Sequence, residues 1–162
     1  MNKNQKTRLE ITRLVSEIRS GFKAFGQKSA AAADDPPGQR SEQQAPKNCE
    51  IASLLRDLGD ICEGPSTRSL VAKAGGVALV MQALGGSPPL HDLDVRTCAT
   101  YLIACMTDQH EENRNSFDRA GVLPILIEIL AWAGRQSDRA SRQGADQMTR
   151  LAVDAIRTLC TC

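Results

Sequence analysis

One stretch of this chain occurs twice, and that repetition constrains the fold more than any other feature. Ser66-Thr67-Arg68-Ser69-Leu70-Val71-Ala72-Lys73-Ala74-Gly75-Gly76-Val77 aligns without a gap on the twelve residues from Glu112 to Leu123. Gly121 lies 46 residues after Gly75; Arg68 falls on Arg114, Val71 on Phe117, Lys73 on Arg119 and Ala74 on Ala120. A fixed offset of this length is the signature of a repeat architecture.

The register continues past the glycines. Val77, Val80, Met81 and Leu84 fall on Leu123, Leu126, Ile127 and Leu130, both sets at i, i+3, i+4, i+7, which is one apolar stripe of a three-turn helix. Gly75 and Gly121 each stand between two helical patterns, where a left-handed backbone lets one helix turn sharply into the next. Pro124 suits the first turn of its helix, where a missing N–H costs nothing.

A longer helical pattern flanks each of these units. Ile51, Leu54, Leu55, Leu58, Ile61 and Cys62 form the first; Val95, Cys98, Ala99, Leu102, Ile103 and Met106 the second; Met148, Leu151, Ala152, Ala155, Ile156 and Leu159 the third. The order is long helix, short helix, glycine bend, medium helix, loop, long helix. A unit of this size cannot bury its apolar face alone, and stacking on its neighbour supplies the missing core.

Composition agrees with an all-α fold. Of 162 residues only 3% are aromatic, so the core must be aliphatic, which suits packed helices better than a β-sandwich. The formal net charge is +1, too small for a global field that draws nucleic acid or an anionic membrane. Residues 1–28 hold seven Lys/Arg against Glu10 and Glu17, a net of +5, whereas residues 48–162 hold eleven against fourteen acids, a net of −3. A net-negative body nearly without stacking aromatics argues against nucleic-acid binding. No apolar run approaches the ~20 residues of a membrane span, and the N-terminus lacks the apolar core of a secretory signal. The expectation is a cytoplasmic protein, with nuclear import open and mitochondrial import also open because Arg8, Arg13, Arg19 and Lys23 stud an amphipathic stretch.

Three zones follow: a basic amphipathic helix in residues 1–26, a flexible linker in 27–47 and the repeats in 48–162. The helix places Leu9, Leu14, Val15, Ile18, Phe22 and Phe25 at helical spacing. A cap over the first apolar face is the default role for it; an arm folding onto the acidic repeats and a membrane-surface helix are alternatives. The linker holds Asp34-Asp35-Pro36-Pro37-Gly38 and a Gln/Ser/Glu stretch, too polar to offset chain entropy by burial. The segment from Ala133 to Gln147 is expected as a long polar loop, with Trp132 closing a core edge before it.

Phe117-Asp118-Arg119-Ala120-Gly121-Val122-Leu123-Pro124-Ile125-Leu126-Ile127-Glu128-Ile129-Leu130 closely resembles the hallmark of the armadillo family: a short helix ending in Ala-Gly, a bend, then apolar-Pro-x-apolar-apolar-x-x-Leu. The copy from Val71 to Leu84 is similar without the proline. The resemblance covers roughly residues 49–162. It implies an all-α, right-handed α-solenoid of about two to three repeats whose concave face, lined by the third helix of each, holds a partner protein or an extended peptide.

In peptide-binding members of that family the third helix carries a Trp and, four residues later, an Asn that clamps the peptide backbone. Here those positions hold Arg56/Asp60, Tyr101/Cys105 and Asp154/Thr158. The clamping ladder is absent, and these six residues become the candidate concave-face contacts, with Arg56 and Tyr101 of the types favoured as hot spots. A solvated helix face is the bland account of the same residues.

Other chemistry finds little footing. The six cysteines mostly lie in apolar helical patterns, as free thiols of a reducing compartment. Their spacings match no common zinc pair, so no metal or cofactor is expected. Cys160-Thr161-Cys162 reads as the end of a helix. His91 and His110 neighbour no plausible nucleophile, and Gly75-Gly76 and Gly85-Gly86 follow helices where a phosphate loop follows a strand. The resulting expectation is a non-catalytic interaction scaffold, with a structural subunit of a cytoskeletal or ciliary assembly, a regulator of a small GTPase and end-to-end self-association as alternatives.

Overall fold

A computed structural model describes residues 2–31, 45–85, 93–135 and 139–161. Eight helices account for nearly all of them: α1 (Lys3–Ala31), α2 (Ala45–Asp60), α3 (Pro65–Lys73), α4 (Gly76–Gly85), α5 (Leu93–Thr107), α6 (Glu111–Arg119), α7 (Val122–Ala133) and α8 (Arg139–Cys160). Among the described residues there is no strand. The expected all-α class holds.

The helix starts carry the sequence period. Those of α3, α4 and α5 at 65, 76 and 93 recur 46 residues later as those of α6, α7 and α8 at 111, 122 and 139. Both short helices also stop in the same way. Ala74 N–H donates to the Leu70 carbonyl (2.9 Å) and Gly75 N–H to that of Ala72 (2.9 Å); Ala120 N–H donates to Ser116 (3.1 Å) and Gly121 N–H to Asp118 (2.9 Å). Gly75 has φ 100° and Gly121 φ 75°, the region a Cβ disfavours by roughly 1–2 kcal/mol.

The two short helices begin differently. Pro65 opens α3 at a position that needs no N–H, with Gly64 N–H donating to Thr67 Oγ1 at 3.2 Å. His110 caps α6 by accepting from Asn113 N–H through Nδ1 at 3.3 Å, and Glu111 and Glu112 follow in the first turn, where carboxylates favour the helix dipole.

Helix α5 packs against both α2 and α8, while α4 lies against α5 and α7 against α8. Val95, Ala99, Leu102, Ile103 and Met106 of α5 are fully buried between these layers. Helix α1 packs on α2, α3 and α4, so it meets α2 and α4 as α4 meets α5 and α7. Its Ile11, Leu14, Val15, Ile18 and Phe22 are buried, at about 1.5–3 kcal/mol each. Its contact through Arg19 Nη2 to the Ala74 carbonyl adds only ~1 kcal/mol, so apolar packing seats this helix.

Several expectations need correction. Helix α1 runs through Ala31 and α2 opens at Ala45, so both ends of the expected 27–47 linker are helical. The alanine run is the best of helix formers, and Pro46 suits a first turn; residues 32–44 lie outside the described residues. Leu9 is 60% exposed and stands off the buried stripe of α1. The expected loop from Ala133 to Gln147 is mostly the start of α8. Gly144 read as a loop residue, yet a Cβ there would come within 2.5 Å of Leu93 Cδ2; the glycine permits a close helix–helix approach. His91 and Cys162 also lie outside the described residues.

Candidate interaction surface

The six candidate residues sit on α2, α5 and α8, and the structure joins some of them. Tyr101 Oη donates to Asp60 Oδ1 at 2.8 Å across the α2–α5 contact. Its ring lies against Gly59, where a Cβ would approach Cε1 to 2.6 Å; the glycine is what lets the ring come this close to α2. Cys105, one turn further along α5, adjoins the same phenol, so Asp60, Tyr101 and Cys105 form one cluster.

The other three do not extend it. Arg56 is exposed and its Nη2 reaches only Cys98 Sγ, at 4.0 Å. Asp154 pairs within its own helix, Oδ1 lying 3.1 Å from Arg157 Nη2, with both side chains at least half exposed; such a pair contributes at most about 1 kcal/mol. Thr158 shares a 2.7 Å hydrogen bond with buried Thr107. Three of the six positions therefore make an α2–α5 cluster, Thr158 makes a separate α5–α8 contact, and Arg56 and Asp154 join neither.

The Tyr101 phenol and the neighbouring thiols are held protonated. The Tyr101 phenol is raised above the usual tyrosine range by hydrogen bonding with Cys105, then by its bond to Asp60 and by burial. Burial raises the Cys105 thiol; the Tyr101 hydrogen bond opposes this, and the Asp60 and Asp108 carboxylates add to it. Cys62 is pushed up to about 12, chiefly by burial and then by Cys105. A thiol needs a lowered pKa to serve as nucleophile or metal ligand at neutral pH, so neither is activated here. Among the described residues no cluster of three or more His, Cys, Asp or Glu gathers around a common point, and the five described cysteines are free.

A polar joint between α3, α5 and α6 escaped the sequence reading. Arg68 is buried; its Nε donates to the Cys62 carbonyl (3.1 Å), and its Nη2 to Asp108 Oδ2 (2.9 Å). Asn113, also buried, donates through Nδ2 to the carbonyls of Met106 (2.9 Å) and Arg68 (3.3 Å). His110 Nε2 lies 2.9 Å from Ser69 Oγ. The alignment of Arg68 on Arg114 hinted at a shared role, but Arg114 Nη1 only touches Thr161 Oγ1, at 3.5 Å. The position aligned with Asn113 in the other copy is Thr67, so periodicity could not disclose this joint.

These features define an all-α protein with a twice-used helix–bend–helix unit. Comparison with protein-family models, curated proteins and solved structures returned no match. No described helix is long and apolar enough to cross a membrane.

Proposed function

We propose that this chain is an armadillo-type right-handed α-solenoid of two to three units that acts as a non-catalytic interaction scaffold. A partner protein or extended peptide lies across α2, α5 and α8. The observation that carries this reading is the 46-residue recurrence of three consecutive helix starts, with a positive-φ glycine at the same place in each copy. Stacked units of that kind present successive third helices side by side, the usual receptor surface of solenoids.

The residues engaged are Arg56, Asp60 and Tyr101, with Asp154 and Thr158 one helix further on. Tyr101 supplies rigid amphipathic area and Arg56 a guanidinium free to fork onto a carboxylate or backbone carbonyl. Without a Trp/Asn ladder, recognition rests on these side chains and not on a repeated clamp of peptide backbone. Affinity purification of the full chain beside Arg56→Ala and Tyr101→Ala, read by mass spectrometry, tests this. Loss of the same partner from both variants is expected; a partner set unchanged by either substitution refutes the surface.

A further inference from the structure

The C-terminal halves of α4 and α7 and the start of α5 border a common hollow. A groove of about 490 Å³ opens there. Ile125, Ile129 and Trp132 form one wall from α7, spaced i, i+4, i+7 on a single face. Arg96 of α5 and Arg135 after α7 bring positive charge, and Glu128 stands on the rim.

Arg96 gives this groove its chemistry. Its Nη2 donates to the Leu84 carbonyl at 3.2 Å, which holds the guanidinium in place. Its Nε–H is buried and has no acceptor, alone in this among the buried side-chain polar atoms described. A buried donor without a partner costs about 1–3 kcal/mol, more when charged, and a carboxylate drawn to the guanidinium offsets that cost through a charge-assisted bond. Among the described lining residues two arginines stand against one glutamate, within a body that is net negative. Trp and Arg are also the residue types that most often anchor interfaces.

We propose that this groove binds an acidic peptide segment of a partner protein, one carboxylate side chain on Arg96 and Arg135 with an adjacent aliphatic or aromatic side chain against Ile125, Ile129 and Trp132. The Arg96 guanidinium turns its Nε edge toward the carboxylate while Nη2 keeps the Leu84 carbonyl. This site is independent of the α2–α5–α8 surface and shares no residue with it.

Trp132 is the only tryptophan in the chain, so its fluorescence reports on the groove alone. The full chain is titrated with acetyl-Glu-Leu-Phe-Asp-amide and with the uncharged acetyl-Gln-Leu-Phe-Asn-amide. The expected result is a saturable change with the acidic peptide, weaker by about tenfold or more for the neutral one and in Arg96→Gln and Arg135→Gln. Glu128→Gln, which removes the competing charge, tightens binding, and Tyr101→Ala leaves it unchanged. No saturable change, equal binding of the two peptides, or acidic-peptide binding undiminished in a folded Arg135→Gln chain overturns the proposal. If Arg96→Gln does not fold, Arg135→Gln and Glu128→Gln decide the outcome.

Discussion

The guanidinium of Arg19, on α1, donates to the Ala74 carbonyl at 3.0 Å and occupies the space that a side chain on Gly75 would fill. The first glycine bend is thus both a left-handed turn and the seat of an arginine from another helix. At the second bend a Cβ on Gly121 would meet nothing within 4 Å. Gly75→Ala and Gly121→Ala therefore share a backbone cost of roughly 1–2 kcal/mol, but only the first loses the Arg19 bond, worth ~1 kcal/mol more. Urea unfolding of both variants measures the difference. In an Arg19→Met background that difference is expected to vanish.

Asn113 is the keystone of the α3–α5–α6 joint. Its amide satisfies two main-chain carbonyls at 2.9 and 3.3 Å in a site 1% exposed. Asn113→Ala removes both bonds, at a cost of about 1–3 kcal/mol. Asn113→Asp replaces the donor with a charge facing the same carbonyls and is expected to be the worse of the two. Thermal unfolding ranks them, and amide exchange in α6 is expected to rise before that in α5.

Alkaline pH weakens the fold through its thiols. Cys62 is raised by burial from 9.0 to about 12, and Cys105 is raised as well. The unfolded chain releases these protons near pH 9 while the folded chain keeps them, so stability is fully present below pH 9 and falls as pH rises toward 12. Unfolding free energies at pH 8, 9.5 and 10.5 are expected to decline, with a shallower slope in Cys62→Ala. Thiol labelling at pH 8 is expected to reach exposed Cys49 and Cys160 quickly, and buried Cys62 and Cys98 only on unfolding.

Gly59 tests whether Tyr101 is rigidly placed. Alanine gains ~1 kcal/mol of helix propensity at a glycine, yet its Cβ would stand 2.6 Å from the Tyr101 ring. Overpacking of that kind costs about 1–3 kcal/mol, so Gly59→Ala is expected to be neutral to destabilising by up to 2 kcal/mol, with loss of the Tyr101–Asp60 bond. A gain in stability equal to the propensity difference is incompatible with a ring fixed on Gly59. Chemical denaturation together with the Tyr101 side-chain NMR shifts reads both effects.

The parts legible in the sequence are those governed by local periodicity. The stripe of Leu123, Leu126, Ile127 and Leu130 announced α7, and Ala-Gly announced the bend, because side-chain spacing and backbone sterics act within a few residues. The stripe was less accurate about which face is inward: Ile127 is 55% exposed while Ile129 is buried. Periodicity places residues on a helix, but the neighbouring helix selects the buried side. The start of α8 was lost for a related reason. Gly144 looks like a helix breaker until Leu93 lies against it.

The candidate surface divides along the same line. The armadillo resemblance singled out Asp60 and Tyr101 as equivalent positions on two helices, and the α2–α5 contact joins them by a hydrogen bond. Asp154 and Thr158 were placed by the same argument but engage Arg157 and Thr107 instead. By itself the sequence determined the apolar stripes of the helices, the 46-residue period and the two bends, all set by interactions between residues close in the chain. Only the tertiary structure decided that Arg19 seats at the first bend, that Arg68 and Asn113 knit α3 to α6, and that the Arg96 Nε–H lies buried without an acceptor. Each of those depends on where a distant carbonyl points, and no spacing along the chain encodes that.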